Sequence, residues 1–191
     1  NRLGGNSLLD LVVFGRAAGK HINEELKSGG GVDNASNEDI ELAMSRLNKL
    51  NESESGYEVA DVKKQLQTCM QNYFGVFRRG EFMEKGVKEL KEIREKSENL
   101  YLKDKSIAFN TNRVEALELQ NLLEVAEATA ISAMMRDESR GAHARDDFPE
   151  RDDKNWLCHS LYDPVEKKLG KRDVNFVPRE VEAFPPKMRS Y

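Results

Sequence analysis

Cysteine is nearly missing from this chain: Cys69 and Cys158 are the only two in 191 residues, far apart and in no C-x-x-C pair. That excludes a disulfide framework, a zinc ribbon and an iron–sulfur cradle built from this sequence. Both are expected as buried or half-buried thiols, and a reducing cytosolic compartment suits them. A basic excess is also missing, since 30 Lys and Arg face 34 Asp and Glu for a formal charge of -4. A nucleic-acid footprint would be basic. No apolar run approaches the roughly 20 residues that a membrane span requires. There is no Gly-rich phosphate loop, H-E-x-x-H, G-x-S-x-G or paired metal-ligand motif, so no catalytic or metal site is expected from motifs alone. What remains is 34% charged and 38% hydrophobic, the profile of a helix-rich protein with charged outer faces.

The spacing of apolar residues predicts a succession of helices. The first runs from Ser7 to about Lys27, with Ser7 and Asp10 as a capping-box-like pair. Its opening residues Leu8, Leu9, Leu11, Val12, Val13 and Phe14 are apolar almost without a break. A helix apolar all round needs protein on every side, and that cover is expected largely outside these 191 residues. With Asn1 starting in mid-pattern, the chain reads as the C-terminal part of a larger protein. Ser28-Gly29-Gly30-Gly31 ends the helix and marks a boundary. Ser36 with Asp39 caps a second helix carrying Ile40, Ala43, Met44, Leu47 and Leu50, and Asn51 to Gly56 is a loop. A third places Val59, Val62, Leu66, Cys69, Met70, Tyr73, Phe74 and Phe77 on one face and stops at Arg78-Arg79-Gly80. A fourth follows Met83, Val87, Leu90, Ile93, Ser97 and Leu100.

The longest helix is predicted over about Asn112 to Asp137, with Val114, Leu117, Asn121, Leu122, Val125, Ala126, Thr129, Ala130 and Ala133 inward. From Ser139 the chain turns irregular and charged. Strands are expected at Asn155 to Tyr162 and at Asp173 to Val177, joined through a turn at Asp163-Pro164, before an extended tail. The predicted fold is mainly α: an antiparallel three- to four-helix bundle, spectrin-repeat-like, followed by a small irregular C-terminal region with a β-hairpin.

Three places hold residues capable of chemistry. Arg2 offers a planar fork that matches a carboxylate with two parallel bonds. Just after it, the helix start at Ser7 carries free amides and about half a positive charge, favouring an anion or an electron-rich ring edge. Together they suit a carboxylate ligand beside a reducible cofactor; the alternative is an exposed loop arginine before an ordinary helix. His143, between Arg140 and Arg145 and followed by Asp146 and Asp147, reads as part of a salt-bridged strap, with a catalytic cluster as the alternative. Its arginine neighbours disfavour a charged imidazole. His21 and His159 are isolated, and Trp156 is a packing anchor.

Three longer stretches carry a family resemblance: N-R-L-G-G-N-S-L-L-D-L-V-V-F-G-R-A-A-G from Asn1, N-T-N-R-V-E-A-L-E-L-Q-N-L-L-E-V-A-E-A-T-A in the long helix, and S-R-G-A-H-A-R-D-D-F-P-E-R-D-D-K-N-W-L-C-H-S-L-Y after it. With the ending F-P-P-K-M-R-S-Y, the chain resembles the C-terminal third of bacterial-type succinate dehydrogenase flavoprotein subunits. Fumarate reductase and aspartate oxidase flavoproteins share the opening and the R-G-x-H region. The resemblance implies a subunit that oxidises succinate to fumarate on FAD and passes electrons to an iron–sulfur subunit and quinone. Membrane-anchor subunits would hold the complex peripherally on the cytoplasmic face of the bacterial inner membrane. It implies that Arg2 holds a substrate carboxylate and that Ser7 and Leu8 contact the flavin. It also implies a division into a remnant of the FAD-binding domain (1–35), a helical domain (36–143) and a C-terminal domain (144–191). The dinucleotide-binding glycines, the flavin-linking histidine and the proton-shuttling arginine of such proteins would lie upstream. These 191 residues alone are therefore expected to be inactive and to hold no FAD. A fumarate reductase flavoprotein, or a non-enzymatic helical interaction module, is the competing reading.

Overall fold

In a computed structural model, residues 5–31, 34–178, 180–185 and 187 are described. Their packing falls into two compact units: Asn1–Val59 with Glu98–Ala116, and Ala60–Ser97 with Leu117–Tyr191.

The first unit holds helices α1 (Asn6–Lys27) and α2 (Asn37–Glu52) and the short strands β1 (Tyr57–Glu58) and β3 (Leu100–Tyr101). Helix α2 starts as local chemistry dictates. The Ser36 hydroxyl accepts from the Asp39 N–H, and the Asp39 carboxylate accepts from the Ser36 N–H, which closes the capping box. At its other end Lys105 Nζ donates to the carbonyls of Leu50 (2.9 Å) and Ser53 (2.6 Å), a cation on carbonyls the helix leaves unpaired. The helix therefore continues to Glu52, past the expected loop start at Asn51. Strands β1 and β3 run parallel, with Tyr57 opposite Leu100. They approach so closely that a Cβ on Gly56 would lie 2.2 Å from the Asn99 carbonyl oxygen, so only glycine fits. Leu50, Val59, Leu100 and Leu102 are buried here.

The second unit contains most of α3 (Val59–Phe74), α4 (Gly80–Ser97) and most of α5 (Thr111–Met135). These form the bundle core, with a short β2 (Phe77–Arg78) paired to β4 (Ala144–Arg145), a single turn α6 (Asp153–Trp156), and the hairpin β5 (Cys158–Asp163) and β6 (Lys168–Asp173). Helices α3 and α4 are antiparallel: Lys96 Nζ reaches Gln65 Oε1 at 2.7 Å, and the Cys69 thiol donates to the Gly86 carbonyl at 3.5 Å. Gly86 permits the approach, since a Cβ there would sit 2.5 Å from the Phe74 ring. Arg94 joins α4 to α5 by pairing with Glu124 (3.0 Å) and Glu127 (2.6 Å). Val62, Leu66, Cys69, Met83, Leu90, Ile93, Leu119, Leu123, Ala126 and Ala130 are buried at the centre. The architecture is thus the expected mainly α bundle with a C-terminal hairpin.

Four local expectations are corrected. Helix α3 ends at Phe74, because Arg78 folds back and donates from Nε and Nη2 to the last carbonyls; Phe77 lies outside the helix and is exposed. Helix α5 starts at Thr111, since the Asn110 side chain accepts from the Arg113 N–H and so caps it one residue early. Its buried face is Ala116, Leu119, Leu123, Ala126, Ala130 and Ala133; Val114, Leu122 and Val125 are exposed. Apolar residues occur on every side of α5, so periodicity alone does not set which face turns inward. The second hairpin strand is Lys168–Asp173, nearer than expected. Asp163 accepts from the N–H groups of Val165 and Glu166, and this side-chain-mediated turn brings the chain back at once.

Candidate functional site

The helix start singled out by sequence is built on Gly5. It occupies the N-cap of α1 in a left-handed conformation, φ 74°, which glycine adopts without the penalty of a Cβ. Ser7 is therefore the second helical residue, and the expected Ser7–Asp10 cap does not form. Among the described residues no side chain caps this end. The first-turn amides of a helix have no intrahelical partner, so the tip keeps its positive end available. Ser7 is half-buried, while Leu8 is 69% exposed and every side chain from Leu8 to Lys27 faces outward. None of the described residues covers Leu8, Leu9, Leu11, Val12, Val13 and Phe14. An amide-lined tip beside a broad apolar surface suits a flat heteroaromatic ring with an electron-rich edge. Arg2 lies outside the described residues.

The charged segment after α5 forms the strap expected from its composition. Glu138 is fully buried. Its carboxylate accepts from Arg140 Nε (2.8 Å) and Nη2 (2.9 Å), from Arg136 Nη1, and from the Asp152 N–H (2.9 Å). Burial pushes this acid up, but the donated hydrogen bonds outweigh it and hold Glu138 below the usual carboxylate range. Arg136 also donates to the carbonyls of Trp156 and Cys158, so one carboxylate anchors the hairpin to the end of α5. Arg145, 3% exposed, pairs with both oxygens of Asp147 and donates to the Arg136 carbonyl at the end of α5. Asp147 in turn accepts from the Gly80 N–H, the first residue of α4. Cation and anion thus sit at the helix ends that favour them. The Arg145 hydrogen bond is the main cause that keeps Asp147 strongly acidic.

His143 completes the strap. Arg78 Nη1 approaches His143 Nδ1 at 2.7 Å, and His143 Nε2 lies 3.1 Å from the Arg136 carbonyl oxygen. Arginine can only donate and a carbonyl only accept, so the proton is on Nε2 and the ring is neutral. Burial is the first cause of its lowered pKa, with Arg78, Arg145 and Arg136 adding repulsion against the charged form. Stability from a lowered histidine is complete above the ordinary value of about 6.5 and is lost as pH falls through it toward the folded-state value. The melting temperature should therefore drop between pH 7.5 and 5.5 more steeply than that of His143→Gln, which cannot titrate there. Parallel slopes would refute the neutral role.

These groups are consumed by one another, which leaves them no acid–base task. Cys69, pushed to about 12 by burial and then by Glu89, is no nucleophile at neutral pH. Both cysteines are free. Among the described residues no group of His, Cys, Asp and Glu is placed to hold a metal, and no helix is long and apolar enough to cross a membrane. Sequence reasoning read Arg78 only as a helix-end cation and missed Arg136 and Glu138, of which Glu138 carried a signal as an acid bracketed by arginines.

A family model described as fumarate reductase flavoprotein C-term matches residues 63–191. The chain is 44% identical over 99% of its length to the succinate dehydrogenase flavoprotein subunit of Coxiella burnetii, and 42% identical over 100% to that of Rickettsia bellii. It spans about a third of each, 32% and 33%. Among solved structures it is similar to a mutant of FrdA in E. coli quinol fumarate reductase, with a TM-score of 0.81 at 35% identity, covering 98% of this chain and 32% of that one. The chain belongs to the fumarate reductase flavoprotein C-terminal family.

Proposed function

We propose that this chain is the C-terminal third of a succinate dehydrogenase flavoprotein subunit, which oxidises succinate to fumarate on FAD. The observation that carries this reading is the end-to-end 44% identity with a subunit of that name. FAD, when bound, would supply the hydride acceptor for succinate oxidation, and the base for the neighbouring proton would come from outside these residues. This chain supplies one wall. Arg2 clamps a succinate carboxylate with its two-pronged guanidinium. The amides of Ser7 and Leu8, at the positive end of α1, would hold an electron-rich ring edge and favour negative charge on it. The apolar flank from Leu8 to Phe14 excludes water from that side. Within the subunit, residues 1–35 complete the FAD-binding domain, 36–143 form a helical domain and 144–191 a C-terminal domain, with the Arg136–Asp147 strap as scaffold.

Electrons then pass to an iron–sulfur subunit and quinone in a complex held by membrane-anchor subunits, peripheral on the cytoplasmic face of the inner membrane. Fumarate reduction by the same wall is the second reading, favoured by the similarity to FrdA. Direction is set by the flavin and quinone potentials.

Since Arg2, Ser7 and Leu8 form only one side of the site, the 191-residue chain alone should retain no FAD through gel filtration and oxidise no succinate. The full-length subunit should retain FAD and oxidise succinate. A stoichiometric yellow cofactor on the isolated chain, or a full-length subunit unable to bind FAD, contradicts the proposal.

A further inference from the structure

Helices α4 and α5 do not close completely against each other. Between them lies a recess of about 240 Å³ with an apolar floor. Leu90 and Leu123 form its buried base, with Val87 and Ile131 on the walls. Lys88 and Lys91 stand on its rim, and Lys167 from the tip of the hairpin closes one end. The one carboxylate lining the recess, Glu127, is already committed to Arg94 at 2.6 Å and Lys167 at 3.5 Å. Glu124, its neighbour on α5, pairs with the same Arg94 at 3.0 Å. Lys88 and Lys91 have no such pairing among the described residues. An apolar floor under unpaired ammonium groups matches an amphipathic anion.

We propose that this recess binds a medium-chain monocarboxylate, its hydrocarbon on Leu90, Leu123, Val87 and Ile131 and its carboxylate between Lys88 and Lys91. At about 240 Å³ the recess is large enough for a short alkyl chain rather than a single water. The concavity favours a small molecule over a flat protein surface, and the rim charge favours an acid over an amine. A dicarboxylate of equal length is excluded, because its second carboxylate would lie unpaired on the apolar floor. The proposal stands independently of the succinate reading.

The test is titration of the full-length subunit with octanoate, followed by the methyl signals of Val87, Leu90, Leu123 and Ile131. Saturable shifts should be confined to those four residues and their neighbours. Affinity should rise about fourfold per methylene from hexanoate to octanoate, then level off once the recess is filled. Octylammonium and octanedioate should leave the signals in place. The double variant Lys88→Glu/Lys91→Glu, at exposed helix positions, should keep its melting temperature and bind octanoate at least tenfold more weakly. The proposal is overturned if octanoate shifts residues elsewhere, or if octylammonium binds equally well. Undiminished binding by the double variant overturns it too, as does the absence of any saturable binding, the outcome expected were a partner polypeptide the true occupant.

Discussion

Glu138→Ala should lower the melting temperature of the chain by roughly 10 °C. The reason is asymmetry. Glu138 is fully buried and accepts from Arg140, Arg136 and the Asp152 N–H. Removing it leaves a backbone donor unpaired and takes a carboxylate from two partly buried guanidinium groups, of which Arg140 keeps Asp153 and Arg136 keeps the Trp156 and Cys158 carbonyls. Breaking a buried pair from one side costs about 3–5 kcal/mol, and for a chain of this length each kcal/mol is worth about 2–4 °C. Glu138→Gln keeps the shape and part of the hydrogen bonding, and should fall between the two. A thermal melt of the three proteins checks the order. An alanine variant that melts within a degree or two of the parent would show that the strap does not hold the hairpin to α5. Acid should act in the same direction. Glu138 and Asp147 both sit below their ordinary range, so their contribution is present at neutral pH and is lost as pH falls through the folded-state values.

Arg2→Lys in the full-length subunit should reduce kcat/KM for succinate about a hundredfold, equivalent to about 2.7 kcal/mol of transition-state stabilisation. Lysine keeps the charge but offers a point donor in place of two parallel N–H groups, and so cannot fix a carboxylate in one plane. The FAD content should be unchanged, because the proposed flavin contacts come from Ser7 and Leu8. Steady-state kinetics with a parallel flavin absorbance measurement separates the two effects. Unaltered kcat/KM would remove Arg2 from the substrate site; lost flavin would place it against the cofactor instead.

Much of the fold could be read from the chain because much of it is local. Ser36 and Asp39 start α2 through bonds spanning three residues, and Met83, Leu90 and Ile93 on α4 sit where a 3.6-residue period puts them. The features that escaped reading depend on distant partners. Phe77 continues the stripe of α3, yet Arg78 turns back on the Phe74 carbonyl and lets the strand pair with Ala144. The inward face of α5 follows from what packs against it, since apolar residues occur on every side of it. Lys168–Asp173 is too charged to announce a strand, and becomes one because the Asp163 turn aligns it opposite Cys158–Asp163. At the site, the strap from Arg140 to Asp147 was legible in its charge pattern. Its anchors Arg78 and Arg136 were not, because His143 meets the first across 65 positions of sequence. The α1 tip was legible in composition but not in geometry: Gly5, not Ser7, makes the cap.

The start of α1, which no side chain caps, is proposed to face a flavin. A crystal structure of the full-length subunit with FAD and a dicarboxylate tests it most directly. The Ser7 or Leu8 amide nitrogen should lie within about 3.2 Å of an acceptor on the isoalloxazine edge, with the Arg2 guanidinium forked onto a ligand carboxylate. A flavin lying beyond hydrogen-bonding reach of that helix tip would contradict it.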